Sequence, residues 1–169
     1  MNATPIFGLS VLCSFVAWGL VAWLYVWPRL AVAPTKSALM ALIAPHLFRF
    51  LGLSFLVPGV VSAALPHGFG REAALGDLIA AFLAIVATIA LATDLPWAAA
   101  MVWVFNLWGT ADLINAMIQG PIQLAGAGPG ALGAAYFIPT LLVPGLLTSH
   151  VLIFRLLTKR AVENGLLYG

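Results

Sequence analysis

From Ile6 to Trp27 the chain runs for about 22 residues without a charged side chain. At ~1.5 Å per residue a helix of that length rises ~33 Å, enough to cross the ~30 Å hydrocarbon layer of a bilayer. Comparable apolar stretches recur down the chain and predict helices over residues 5–27, 36–65, 73–93, 96–118 and 131–158. The second is too long for one simple crossing and is kinked or divided near Pro45. Either 36–44 lies along the interface and the crossing runs from Pro45 to Leu65, or the helix is unbroken from Lys36. The predicted fold is a single-domain, all-α integral membrane protein over residues 1–169, a bundle of about five transmembrane helices with the third and fourth central. Composition agrees. Seven Lys or Arg and five Asp or Glu, against 63% apolar residues, cannot wet the surface of a soluble globule. That excludes a soluble enzyme and a disordered chain. The net charge of +2 rests on scattered bases rather than on a patch, so nucleic acid is not a partner.

The start Met-Asn-Ala-Thr-Pro lacks a basic n-region, and the run behind it is longer than a signal-peptide core, so the first segment reads as a retained helix. Cys13 has no second cysteine to pair with and reads as a small packing residue. With five crossings, Arg29 and Lys36 fall on the same side as Arg155 and the tail bases Lys159 and Arg160, with Asp94 and Glu163 also there. Only Arg71, beside Glu72, falls opposite. The positive-inside rule then puts the N-terminus outside and the C-terminus in the cytoplasm. The implied location is a bacterial cytoplasmic membrane.

Gly76, Ala80, Ala84 and Ala87 recur at spacings of three and four, a stripe of small residues that lets backbones approach. Gly120 to Gly130 reads as a loop, and His67 as a turn residue. Leu56–Ser62 echoes Leu142–Thr148, which raises a repeat reading, against the simpler one of local distortion at Pro58, Pro139 and Pro144.

An ionisable group inside the hydrocarbon layer costs several kcal/mol unless paired or wetted, so the polar residues within the segments are the functional candidates. His46 and Arg49 stand three apart, forming a polar corner able to meet an anionic or carbonyl-bearing ligand. On the fourth segment Trp108, Asp112, Asn115 and Gln119 share an arc of about 60°, with Asn106 and Thr110 on another face beside Trp103. Polarity on two sides implies a helix surrounded by others. Arg49 can reach Asp112 if its helix starts at Lys36; otherwise Asp112 bonds to Asn115, Tyr136 or water. Asp77, Asp112, Asn115 and Tyr136 lie at similar depth and could line one outward-facing pocket, and His150 could meet His46. The candidate binding pocket is His46, Arg49, Asn106, Asp112, Asn115 and His150, with Asp77 and Tyr136 as a second polar cluster. The structural alternative for Asp77, Asp112, Asn115 and Tyr136 is interhelical hydrogen bonding alone; for the other pair it is that Arg49 snorkels to lipid phosphates while His46 caps or pairs locally. No cofactor or metal is predicted; haem or a metal held by His46 and His150 is the minor reading.

The run His46-Leu-Phe-Arg49-Phe-Leu-Gly52-Leu-Ser-Phe-Leu-Val-Pro58-Gly59 resembles the arginine-led first-helix pattern of small four-helix membrane proteins of the quinone-linked redox type. The likeness spans a short stretch and the helix count differs, so nothing is carried over from it. Three functions stay open. The polar pocket binds a lipid-like or other small hydrophobic ligand. Alternatively the chain is an accessory subunit or homo-oligomer whose polar groups hold helices together. In the third, the groups transfer protons on a hydrophobic substrate, with Asp112 or His150 as base and Arg49 as stabiliser.

Overall fold

Every regular element among the described residues is helical. The structure is a computed structural model describing residues 3–167, with side chains described through Lys159; those of Arg160 and Glu163 lie outside the described residues. Five helices are long and apolar enough to cross a membrane: α1 Thr4–Leu30, α2 Thr35–Leu56, α3 His67–Ala92, α4 Ala98–Gln123 and α5 Ile138–Lys159. Their outward faces carry large apolar side chains such as Leu12, Phe82, Ile89, Leu107 and Ile118. In water these would be an aggregation surface; in a bilayer they are the lipid contact.

α2 runs unbroken from Thr35 but changes its winding at Pro45. Proline lacks the N–H for an i→i−4 bond and its ring crowds the carbonyl four residues back. Over Ala44–Leu56 the helix tightens to the 3-10 form, with about 3.0 residues per turn and ~2.0 Å rise. His46, Arg49, Gly52 and Phe55, the buried residues of this stretch, therefore stack on a single ridge. The longer rise also moves the helix end. Thirteen residues cover ~26 Å, so the crossing is finished at Leu56 rather than at Leu65.

α3 lies between α2 and α4, and its small-residue stripe is the reason. Ala80, Ala84 and Ala87 have no accessible surface. α5 closes a four-helix core by touching both α4 and α2, and α1 docks on the outside of α5. α4 is not enclosed. Val104, Leu107, Ile114, Ile118 and Ile122 are exposed, so it presents a broad apolar outer face despite its two polar sides. Cys13 is likewise exposed rather than packed.

The ends of the helices differ from the sequence expectation where Gly and Pro act locally. α3 starts at His67, directly after Pro66, and includes Arg71 and Glu72 in its first turns. α4 continues through Pro121 to Gln123. The expected start of the last helix at 131 is a separate short turn, Pro129–Tyr136, broken at Gly133 where φ is 54°. That conformation suits glycine alone, because Val60 O occupies the space of a side chain. The Ser62 N–H donates to Ala131 O (3.0 Å) and the Ala134 N–H to Val60 O (2.9 Å), knitting this turn to the segment after α2. The echoed segments are therefore unlike. Leu56–Ser62 ends a helix and turns, whereas Leu142–Thr148 is helical, following a widened turn at Ile138–Leu142. At the opposite end Lys36 pairs with Asp94 at 2.8 Å, and the Arg155 guanidinium lies 3.8 Å from the centre of the Trp27 ring.

Ala84→Leu should lower stability by about 1–3 kcal/mol through overpacking, read as the unfolding midpoint of purified protein in detergent. Phe82→Leu on the lipid face should stay within about 0.5 kcal/mol. Equal effects at the two positions would show that α3 is turned the wrong way.

Candidate functional site

One guanidinium gathers the charges that the sequence left buried. Arg49 stands roughly 25 Å along α2 from Thr35, in the 3-10 stretch, and its side chain is 1% exposed. Its Nε donates to Asp77 Oδ1 on α3 (2.7 Å), and its Nη2 donates to Asp112 Oδ2 on α4 (2.5 Å). Nη1 points to the Gly109 carbonyl at 3.3 Å. Such charge-assisted bonds are roughly twice as strong as neutral ones. Moving ions out of water still costs several kcal/mol each, so the group as a whole nears break-even while loss of one partner does not.

The backbone makes room for each of these groups at a glycine. A side chain at Gly52 on α2 would run into the Asp77 carboxylate; one at Gly76 on α3 would run into that of Asp112. A Cβ on Gly109 of α4 would lie 2.6 Å from His150 Cε1 and 3.0 Å from Arg49 Nη1. Three polar residues on α3, α4 and α5 thus rest on three glycines of the preceding helix.

Behind the ion group lie two fully buried histidines, ring centres 4.2 Å apart. Ser149 Oγ donates to Leu146 O, so the 2.6 Å contact between His46 Nε2 and Ser149 Oγ must use the histidine N–H. Asn106 Nδ2 points to the His150 carbonyl at 3.3 Å, which leaves Asn106 Oδ1 to accept from His150 Nδ1 at 2.6 Å. Each ring carries one proton in this network. His46 Nδ1 and His150 Nε2 have no hydrogen-bond partner. The rings are in contact, with no gap between them for a haem plane. Among the described residues, no three His, Cys, Asp or Glu side chains converge to hold a metal ion.

Two apolar clefts open along the seam between α1 and the four-helix core. One of about 270 Å³ runs between α1, α2 and α5 and reaches Arg49, Gly52, Asp77 and Ser149. The other, about 350 Å³, runs between α1, α3, α4 and the start of α5; Asp77 and Asp112 are the ionisable groups on its wall. Asp77 borders both.

Of the sequence candidates, His46, Arg49, Asp77, Asn106, Asp112 and His150 meet in one connected group. Asn115 and Tyr136 do not join it. The buried face of α4 centres on Gly109, so Asp112 is on its rim and Asn115, about 60° beyond Asp112 on the far side, is exposed. Tyr136 belongs to the short turn, where its ring packs edge-on to Phe7 and its hydroxyl lies 3.2 Å from Ser10 Oγ on α1. Sequence reasoning left out Ser149, Gly52 and Gly109, and read Gly76 only as packing. The available signal was a glycine three residues from a buried charge: Gly52 after Arg49, and Gly109 before Asp112.

The profile of a family described as a domain of unknown function (DUF8737) matches residues 6–158. No curated protein and no solved structure matches the chain.

Arg49→Leu, which strands two carboxylates, should destabilise by about 3–5 kcal/mol. Arg49→Leu combined with Asp77→Asn and Asp112→Asn should recover most of that loss, because no uncompensated charge remains. Unfolding midpoints of the single and triple variants check this, and equal instability in both would contradict it. Gly109→Ala should cost about 1–3 kcal/mol by the same measurement, since its methyl group meets the His150 ring.

Proposed function

The chain belongs to the DUF8737 family over residues 6–158, a span that includes the whole polar group, and from that group we propose a membrane protein that binds a small hydrophobic or lipid-like ligand beside Asp77 and Asp112. The observation that carries this reading is the placement of two carboxylates on the wall of an apolar cleft of about 350 Å³. Ligand pockets are commonly about 300–1,000 Å³, mostly apolar, with a few polar groups that fix orientation.

The chemistry of the ligand follows from what is already used. Arg49 spends three of its five N–H donors on Asp77, Asp112 and Gly109, and it does not line the larger cleft, so an anionic or carbonyl-bearing ligand there would not meet it. Each carboxylate spends one oxygen on Arg49. The polar chemistry offered to the cleft is therefore acceptor oxygen, which suits an apolar body carrying a hydrogen-bond donor. His46, Asn106, Ser149 and His150 act from behind, fixing α2, α4 and α5 around Arg49. The charge distribution supports an orientation with the N-terminus outside. Lys36 with Asp94, and Arg155 with Trp27, gather at one end of the bundle, with Arg71 and Glu72 at the other.

Native mass spectrometry of protein purified in mild detergent should show a bound small molecule. Ala116→Phe, which fills the cleft and leaves the three charges in place, should lose that molecule while keeping its unfolding midpoint. A wild-type protein that is empty, or a filled cleft that still carries the molecule, would overturn the reading.

A further inference from the structure

The ion group does not balance. One guanidinium faces two carboxylates, so with all three ionised the cluster carries a net charge of −1 in a site where Arg49 is 1% and Asp77 11% exposed. Among the described residues no other charged group faces it. From α2 come Arg49 and His46, from α3 Asp77, from α4 Asp112 and from α5 His150; each histidine ring donates from one nitrogen, and its other nitrogen is buried with no acceptor for a second proton. The α1 wall of the larger cleft offers Thr4, Phe7, Gly8 and Val11, none of them titratable. An uncompensated charge in such surroundings is costly, so the site is neutral only with a proton or another cation added.

We infer that the larger cleft binds a protonated amine on an apolar body, in exchange for a proton held by the carboxylate pair. This rests on the ligand-binding reading above and names its ligand class. Asp77 Oδ1 and Asp112 Oδ2 are taken by Arg49, and the Gly52 and Gly76 faces press on Asp77 Oδ2 and Asp112 Oδ1 without donating to them. Those second oxygens are the acceptors that an ammonium N–H would meet, and the apolar wall covers the rest of the ligand. Charge balances on both sides of the exchange. The empty site holds Arg49⁺, one carboxylate and one carboxylic acid. The filled site holds Arg49⁺, two carboxylates and one ammonium, and the carboxyl proton leaves for solvent. Binding therefore tightens as pH rises, by up to about tenfold per unit while one proton is released per ligand.

The test is calorimetric titration of the whole protein in lipid nanodiscs with octylammonium, octan-1-ol and octanoate, between about pH 4 and 8. Octylammonium should bind at least about tenfold tighter than octan-1-ol at the upper pH, with an affinity that climbs from the lower pH, where about one proton is released per ligand; octanoate should bind weakest. Asp112→Asn, which leaves the Arg49–Asp77 pair neutral, should abolish the pH dependence and the preference for the ammonium. Should that variant not fold, the wild-type pH profile decides, with Ala116→Phe as the control for binding in the cleft. Equal, pH-independent binding of the alcohol and the ammonium, lost in Ala116→Phe, overturns the exchange and leaves ligand binding standing. Binding of none of the three, or binding unchanged by Ala116→Phe, overturns both.

Discussion

A guanidinium shared between carboxylates on two other helices is the interaction on which this bundle depends. In lipid, apolar faces gain little by leaving the bilayer for one another, so helix association needs close packing or polar contacts. Taken one at a time, α2 with Arg49, α3 with Asp77 and α4 with Asp112 would each expose a charge to hydrocarbon. Together they do not. The magnitudes say what this interaction is for. Polar contacts between membrane helices average only ~0.6 kcal/mol net, whereas leaving a buried charge without its partner costs about 3–5 kcal/mol. The group therefore adds modest stability and strongly penalises any other arrangement, because a helix rotated or shifted by a turn leaves a charge alone.

Such contacts need backbones closer than ordinary side chains allow, and the bundle meets that need in one repeated way. Asp77 rests on Gly52, Asp112 on Gly76 and His150 on Gly109, each on the helix before it, and Trp18 of α1 rests on Gly145 of α5 in the same manner. A large or polar side chain on one helix meets a bare backbone on the next. The 3-10 winding of α2 belongs to this arrangement. In an α-helix His46, Arg49, Gly52 and Phe55 would drift by about 60° per step around the axis; at three residues per turn they form a straight ridge. One helix can then present a histidine to α5, an arginine to α3 and α4, a glycine to Asp77 and a phenylalanine to Phe69.

That winding marks the boundary of what the sequence displays. Five apolar helices were legible because crossing length and the scarcity of charge are properties of single segments. Arg49, Asp77 and Asp112 stood out for the same reason, as the charges that loops and helix ends did not account for. What was not legible depended on one segment meeting another. Pro45 announces a disturbance in α2 but not whether the chain bends, divides or tightens. Asn115 looks equivalent to Asp112 on a helical wheel, and only the position of Gly109 against His150 shows which side of α4 is inside. On the sequence alone Tyr136 lies inside a helix running from 131, at the depth of Asp77, but Gly133 follows the Val60 carbonyl into a left-handed turn and carries the ring to α1. Glycine was read as a breaker or as packing, when in the core its use was to be absent beside a charge.

α1 departs from this pattern, and the departure bears on the proposed ligand. It contributes no charge to the core. It meets the last segment through the Trp18 indole N–H donating to Leu141 O at 3.0 Å, the Ser10–Tyr136 hydroxyl pair and the Arg155 guanidinium over the Trp27 ring. None of these reaches the ion group. Both clefts run along its seam with the core, and Asp77 borders each of them. The carboxylates are thus shielded from lipid on this side by the helix that the charge network does not hold. A ligand with an apolar body would meet the apolar walls of this seam first and the carboxylates last, so its body would be desolvated before its polar end is bound. In that order the hydrophobic part of the proposed ligand would select what enters, and the pairing of a donor with Asp77 and Asp112 would select what stays.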